Sequence, residues 1–352
     1  MGGNCFEKAA VIKESLELLT LVSVITNCAS TRNRMVVDIT SLLDPNATRF
    51  IEMIDQLGVA DWNTRYDFLP NEEYESLIKT DPGKGMQIYW NEILGRAHLT
   101  AATAILRSRH WVAALHLGAK ENNLLSFAAA FRGLIESAAD SSTTLRLVPL
   151  TLARDHTQIL EALSGNVGMQ QFSAPALEDA LIHYSYARHL TRPELQIAPP
   201  SHKALHVRDY IEVLEKGEVA NVVACYRELC DLTHPGASSV WMWLWPISNV
   251  AMELKARQDD RVIGHFLTEY RETYIGLLQF AFNLALTTLR VLNYFPLVAL
   301  HTAALENWNM SGIPLWKKSY DHLKGIEPKV RRQLKIVKPN HLLRPTPPRR
   351  RS

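Results

Sequence analysis

With 352 residues, 47% of them hydrophobic and 21% charged, the chain can bury one large core or two smaller ones, which excludes a wholly disordered protein. Its net charge of +2 conceals an uneven distribution: residues 324–352 hold ten Lys and Arg against the single acid Glu327, or +9, leaving −7 on the body by subtraction. The four cysteines, Cys5, Cys28, Cys225 and Cys230, are too few for a disulfide scaffold or a paired zinc site and fit a reducing, cytoplasmic setting.

Met1-Gly2-Gly3-Asn4-Cys5-Phe6 has the glycine of an acylation signal without the Ser or Thr expected at position 6, and no signal-peptide pattern follows it. Residues 6–29 read as a helix on the three- and four-residue steps of Ile12, Leu16, Leu19, Val22 and Ile25. A second helix is expected between Asn46 and Gln56, started by Asp44-Pro45 and stopped by Gly58. From Gly58 to Gly85 the polar, acidic run with Pro70 and Asp81-Pro82-Gly83 reads as a long loop. Lys84-Gly85 lacks the upstream glycine and the following Ser or Thr of a phosphate loop.

Helices are expected again over about 86–107, 110–119 and 121–140, with Arg132 and Glu136 four apart on one face of the last. That pair is either a surface ion pair or an internal polar clamp. Beyond a loop near Gly165–Ser173, residues 175–190 read as helical. Pro199-Pro200-Ser201 then marks a boundary before a helix over 202–216. His202 and His206 share the i, i+4 spacing of helical metal ligands, but no carboxylate stands in register, so no metal site is assigned.

The segment Tyr226–Gly236 follows. On a helix, Val219, Val222, Val223, Tyr226, Leu229 and Thr233 fall on the core side, while Ala220, Ala224, Arg227, Asp231 and His234 form an adjacent strip that begins small and ends charged. Pro235-Gly236 stops the helix, which sets the His234 imidazole at a C-terminal dipole end. Trp241, Trp243 and Trp245 offer stacking faces for bases, or pack at a core or interface. Helices over about 249–274 and 275–295 and a shorter one before the tail complete the body. No strand-turn-strand series is expected, so the fold class is all-α. Val240–Met252 is short and carries Pro246. Gly276–Leu300 is interrupted by Gln279, Asn283, Arg290 and Asn293, which favours a central bundle helix over a membrane span.

Arg227, six intervening residues and His234 match the Arg-x4-6-His signature of HEPN domains. With Phe131-Arg132-Gly133-Leu134-Ile135-Glu136 on an earlier helix, the chain resembles the uncharacterised bacterial HEPN-like families over about residues 86–295. The domains expected are then an N-terminal helical segment at 1–60, an acidic linker loop at 61–85, a HEPN-like helical bundle at 86–310 and a disordered, basic, Pro-rich tail at 324–352. The resemblance implies a metal-independent endoribonuclease of toxin or phage-defence type. Its cleft would form across a homodimer, without a cofactor, on RNA, with an antitoxin or defence protein as a further partner. Carried over by position, His234 is the acid or base, Arg227 the phosphate clamp and Asp231 a group that orients the imidazole or neutralises Arg227, with Arg132, Glu136 and Tyr226 lining the substrate. The spacing alone does not discriminate, because Arg109 and His116 repeat it. Glu228 also departs from the Asn, Asp or His that active members place after the arginine, and a carboxylate there would repel phosphate.

Two other readings use the same residues. In one, a non-catalytic helical binding or regulatory protein, Arg227 pairs with Asp231 or Glu136 and His234 caps its own helix. In the other, a membrane-surface protein, the basic tail and the Trp patch contact lipid.

Overall fold

The computed structural model describes residues 45–58, 64–166, 172–248, 250–255 and 258–326. The helix expected over 6–29 and nearly all of the basic tail lie outside the described residues. The elements are α1 (Pro45–Gly58), α2 (Asn71–Thr80), α3 (Pro82–Lys120), α4 (Leu124–Leu145), α5 (Val148–Arg154), α6 (His156–Leu163), α7 (Pro175–Tyr186), α8 (Glu194–Ile197) and α9 (Val207–Lys216). There follow α10 (Val222–Thr233), α11 (Ala237–Trp241), β1 (Leu244–Ser248), β2 (Ala251–Leu254), α12 (Asp259–Glu269), α13 (Arg271–Leu292) and α14 (Pro314–Leu323). Short 3-10 turns occur at Pro200–His202, Val298–Leu300 and Ala303–Asn307.

Helix dominates, as the three- and four-residue periodicity predicts, and several elements differ from expectation for identifiable reasons. The segment read as a loop over 61–85 contains α2. Glu72 and Glu73 stand in its first turn, where the helix dipole favours them, and none of its residues is buried, so it leaves no apolar stripe to read. The break expected near residue 108 is absent: α3 runs on through Arg107-Ser108-Arg109-His110. His202 sits on a 3-10 turn and His206 precedes α9, so the i, i+4 argument for metal ligands does not apply.

The largest correction concerns the Trp-rich run. Leu244 pairs with Leu254, Trp245 with Glu253, Pro246 with Met252 and Ser248 with Ala251, an antiparallel hairpin with a bulge between Pro246 and Ser248. The helix expected over 249–274 therefore begins at Asp259. Lys255 Nζ and Arg261 Cζ lie 4.7 and 4.6 Å from the centre of the Trp245 ring, so cations already engage that indole.

The chain divides into two compact units. Among the described residues the first takes those up to Met53, with Arg109–Ile135 and Glu215–Leu278; the second takes Ile54–Ser108, Glu136–Leu214 and Gln279 onward. In the first, Phe127 packs edge-on against Phe131 and Phe266, and Phe131 edge-on against Tyr274. The turn joining α3 to α4 is a Schellman motif: Asn122 takes the left-handed conformation (φ 51°), Asn123 N–H bonds Gly118 O at 2.8 Å and Asn122 N–H bonds Ala119 O at 3.1 Å. Asn123 Oδ1 then accepts from Ser126 N at 3.0 Å, capping α4.

In the second unit, Trp90 stacks on Phe172 and donates Nε1–H to its carbonyl at 2.9 Å. Asn293 brackets Thr302 through two bonds, at 3.0 and 2.8 Å. Helix α13 is the one described helix long and apolar enough to cross a membrane, with mean hydropathy 1.5 over its apolar window, and 61% of that window is buried within the chain.

Candidate functional site

The candidate site lies in the first unit, at the end of α10. Val222, Cys225 and Leu229 anchor the inner face of that helix, with Val219 buried just before it. The helix stops at Thr233. His234 is the C-cap, in extended backbone conformation (φ −90°, ψ 147°), with its N–H on Cys230 O at 2.9 Å. Pro235 cannot continue the ladder, and α11 starts afresh after Gly236.

The strip read from the sequence is solvent-facing throughout: Ala220, Ala224, Arg227, Asp231 and His234 are all exposed. Arg227 and His234 lie seven residues, or about 10 Å along the helix axis, apart on this strip. Neither Arg227 nor Asp231 makes a hydrogen bond or ion pair among the described residues, so the Arg227–Asp231 and Arg227–Glu136 pairs expected of a purely structural role are not formed.

Arg132, brought in from α4, does meet the end of α10. Its Nη1 lies 3.3 Å from His234 Nε2 and 3.3 Å from Thr233 Oγ1, and its guanidinium carbon lies 6.0 Å from the centre of the Tyr226 ring. A guanidinium has no acceptor, so in this contact the Nε2 lone pair is the acceptor. Thr233 serves twice, accepting from Arg132 while donating to Leu229 O at 2.8 Å. The sequence had assigned this threonine to the core side. Glu136, one turn further along α4, is half-buried and belongs to the second unit.

Glu228 has a defined partner. The Tyr270 hydroxyl donates to Glu228 Oε1 at 2.7 Å, and burial together with this carboxylate pushes the Tyr270 phenol well above its ordinary range. One position along a helix rotates a side chain by about 100°, so Glu228 turns toward Tyr270 while Arg227 faces solvent. The competing Arg-x6-His match fares differently: His116 Nε2 is 2.8 Å from the hydroxyl of fully buried Tyr274, which commits that imidazole to packing.

A second polar cluster, in the second unit, was not legible from spacing. Arg107 Nη1 bonds Asp140 Oδ2 at 2.7 Å and approaches the Tyr184 hydroxyl at 3.5 Å. His183 spends both ring nitrogens, Nδ1 on Ser201 O at 2.9 Å and Nε2 on the Tyr210 hydroxyl at 2.7 Å. Burial raises the Asp140 carboxyl despite Arg107, and raises the Tyr184 and Tyr210 phenols. These five residues span more than a hundred positions on α3, α4, α7 and α9, so no local pattern could unite them. The chain matches no protein-family model, no curated protein and no solved structure.

Proposed function

We propose that the chain is a metal-independent endoribonuclease with a HEPN-like core, of toxin or phage-defence type, acting in the cytoplasm as a homodimer. The observation that supports this best is the approach of Arg132 to His234 at the exposed end of α10, two turns from an unpaired Arg227. Two guanidinium groups and one imidazole suit a phosphodiester, since arginine matches phosphate geometry and histidine moves a proton near neutral pH.

The chemistry follows from those groups. A phosphate anion is a stronger acceptor than a neutral ring nitrogen, so bound RNA draws Arg132 onto its non-bridging oxygens and frees the Nε2 lone pair. His234 then takes the proton of the ribose 2′-hydroxyl, whose oxygen attacks phosphorus. The bond from phosphorus to the 5′-oxygen breaks and that oxygen takes a proton from water, leaving a 2′,3′-cyclic phosphate and a 5′-hydroxyl. Arg227 and Arg132 hold the charge that develops on phosphorus, and Tyr226 lines the substrate, while Asp231, which makes no hydrogen bond or ion pair among the described residues, is given no orienting role. The small residues Ala220 and Ala224 on the same exposed strip suit close approach of a second α10. An antitoxin or defence protein is the further partner this class would use.

The test is cleavage of RNA by the full chain in the presence of a chelator. Wild type should yield 2′,3′-cyclic ends, His234→Ala should lose about 10²- to 10⁴-fold in rate, and Arg227→Ala should weaken cleavage without lowering the melting temperature. Undiminished cleavage by His234→Ala sinks the proposal. A second reading is favoured by the same contact, because Arg132 occupies the lone pair a base would use: the group is then a clamp tying α4 to α10 in a non-catalytic binding or regulatory protein. That reading requires that Arg132→Ala and His234→Ala both lower the melting temperature and that no form cleaves RNA.

A further inference from the structure

Between α7 and α9, in the second unit, the chain makes an excursion in which no residue from Ala187 to His206 is buried. Its base is closed by a parallel bridge between Arg188 and Lys203: Arg188 N–H bonds His202 O at 3.0 Å, and Ala204 N–H bonds Arg188 O at 3.1 Å. The His202 ring also stacks on Tyr186, at 5.3 Å between centres, which ties the loop to the end of α7. Inside, Glu194 acts as the fastener. Its Oε1 accepts from Arg188 at 2.6 Å, and its Oε2 accepts from the Thr191 N–H and hydroxyl at 2.8 and 2.7 Å. The result is a compact surface loop held by its own bonds, a kind that often carries function.

The loop holds apolar side chains out in water. Leu195 is 50% exposed and Ile197 85%. Both stand in α8, about 200° apart around its axis, with exposed Gln196 between them, so most of the circumference of that helical turn faces solvent. Charge beside them is one-sided. Glu194 is the only acid from 188 to 203 and is spent on Arg188, whereas exposed Arg192 and Lys203 make no hydrogen bond or ion pair among the described residues. The exposed acids that follow and precede the loop, Asp209 and Asp179, belong to α9 and α7. A flat protein surface laid on this turn would cover one side and leave the other apolar side chain wet. Single-stranded nucleic acid needs open aromatic faces, and residues 188–203 contain no Phe, Tyr or Trp. A lipid surface, into which the turn can sink, covers Leu195 and Ile197 at once while its phosphates meet the two free cations. We propose that this loop docks the chain on an anionic bilayer surface, with Leu195 and Ile197 entering the acyl boundary and Arg192 and Lys203 on the headgroups. The inference does not rest on the ribonuclease reading, since none of its residues belongs to the α10 site.

Co-sedimentation of the full chain with vesicles of phosphatidylcholine and phosphatidylserine, at about 7:3, tests this. Because the basic tail also attracts anionic lipid, the informative comparison is among full-length variants. Leu195→Ser with Ile197→Ser should weaken vesicle binding about tenfold or more, and Arg192→Ala with Lys203→Ala about tenfold. All four side chains are exposed, so both variants should keep the wild-type melting profile and report on binding alone. Wild type should bind phosphatidylcholine vesicles at least about tenfold more weakly than the mixed ones. The proposal is overturned if wild type fails to sediment with the mixed vesicles, or if the Leu195→Ser, Ile197→Ser protein binds them as well as wild type. It is equally overturned if that protein loses affinity for a labelled single-stranded RNA instead.

Discussion

Glu228 and His234 acquire their meaning from residues far away in sequence. Read along the chain, Glu228 is a carboxylate next to a phosphate clamp. In the fold it is the acceptor of Tyr270, and its charge is directed away from the exposed strip. His98 shows the same dependence in the second unit: it is 3% exposed, its Nδ1 lies 2.6 Å from the Tyr66 hydroxyl, and burial lowers it to about 4 while Tyr66 is pushed up to about 12. A histidine whose folded value is depressed contributes stability that is fully present above its unfolded value near 6.5 and is lost as pH falls toward 4, because the unfolded chain binds the proton first. The shift corresponds to about 3 kcal/mol as an upper figure. Urea unfolding at pH 7 and pH 4 should therefore show His98→Gln losing less stability on acidification than wild type by an amount of this order. Parallel losses in the two proteins would mean that His98 is not the group being titrated.

At the scale of elements, the joint between α3 and α4 is the most tightly specified. A Cβ placed on Gly118 would lie 2.7 Å from the Phe127 nitrogen and 2.9 Å from its Cα, and backbone on a capped helix cannot move aside as a side chain does. In α12, a Cβ on Gly264 would meet nothing within 4 Å. The two glycines thus predict opposite signs for one substitution. Gly118→Ala should cost about 2–4 kcal/mol through overpacking, whereas Gly264→Ala should gain about 0.5–1 kcal/mol from helix propensity and a less flexible unfolded chain. Thermal melts of the two variants check this directly, and a Gly118→Ala protein as stable as wild type would mean that the close approach is not maintained. The same joint explains why the sequence divides these helices almost correctly: Asn122 and Asn123 are a left-handed cap and an N-cap, both local signals.

For the molecule as a whole, what could be read in advance follows burial and locality. The helical class was legible because most helices bury one face, and the end of α10 was legible because Pro235 is a local stop. Helix α2 was not, since it buries nothing, and neither was the hairpin, where Pro246 and an irregular register mask the two-residue alternation. Of the candidate site, the exposed strip of α10 could be drawn from angular position alone, but the arrival of Arg132 at His234, 102 residues away, is a product of tertiary packing. The charge asymmetry of the chain is, by contrast, wholly a property of sequence and leads to a prediction at this scale. Residues 327–352 hold nine Lys and Arg against Glu327, while the remainder is net acidic, so sequence-independent affinity for RNA should reside in that segment. Each phosphate neutralised on a single strand contributes about 0.7 to the slope of log affinity against log salt. Deleting residues 327–352 should then flatten the slope by about 3 or more, on four or more phosphate contacts, and weaken binding most at low salt. Fluorescence anisotropy with a labelled single-stranded RNA between about 50 and 200 mM salt measures both quantities. Equal slopes for the full and shortened chains would move the RNA contacts off the tail and onto the body, where Arg132 and Arg227 are the first cations to replace.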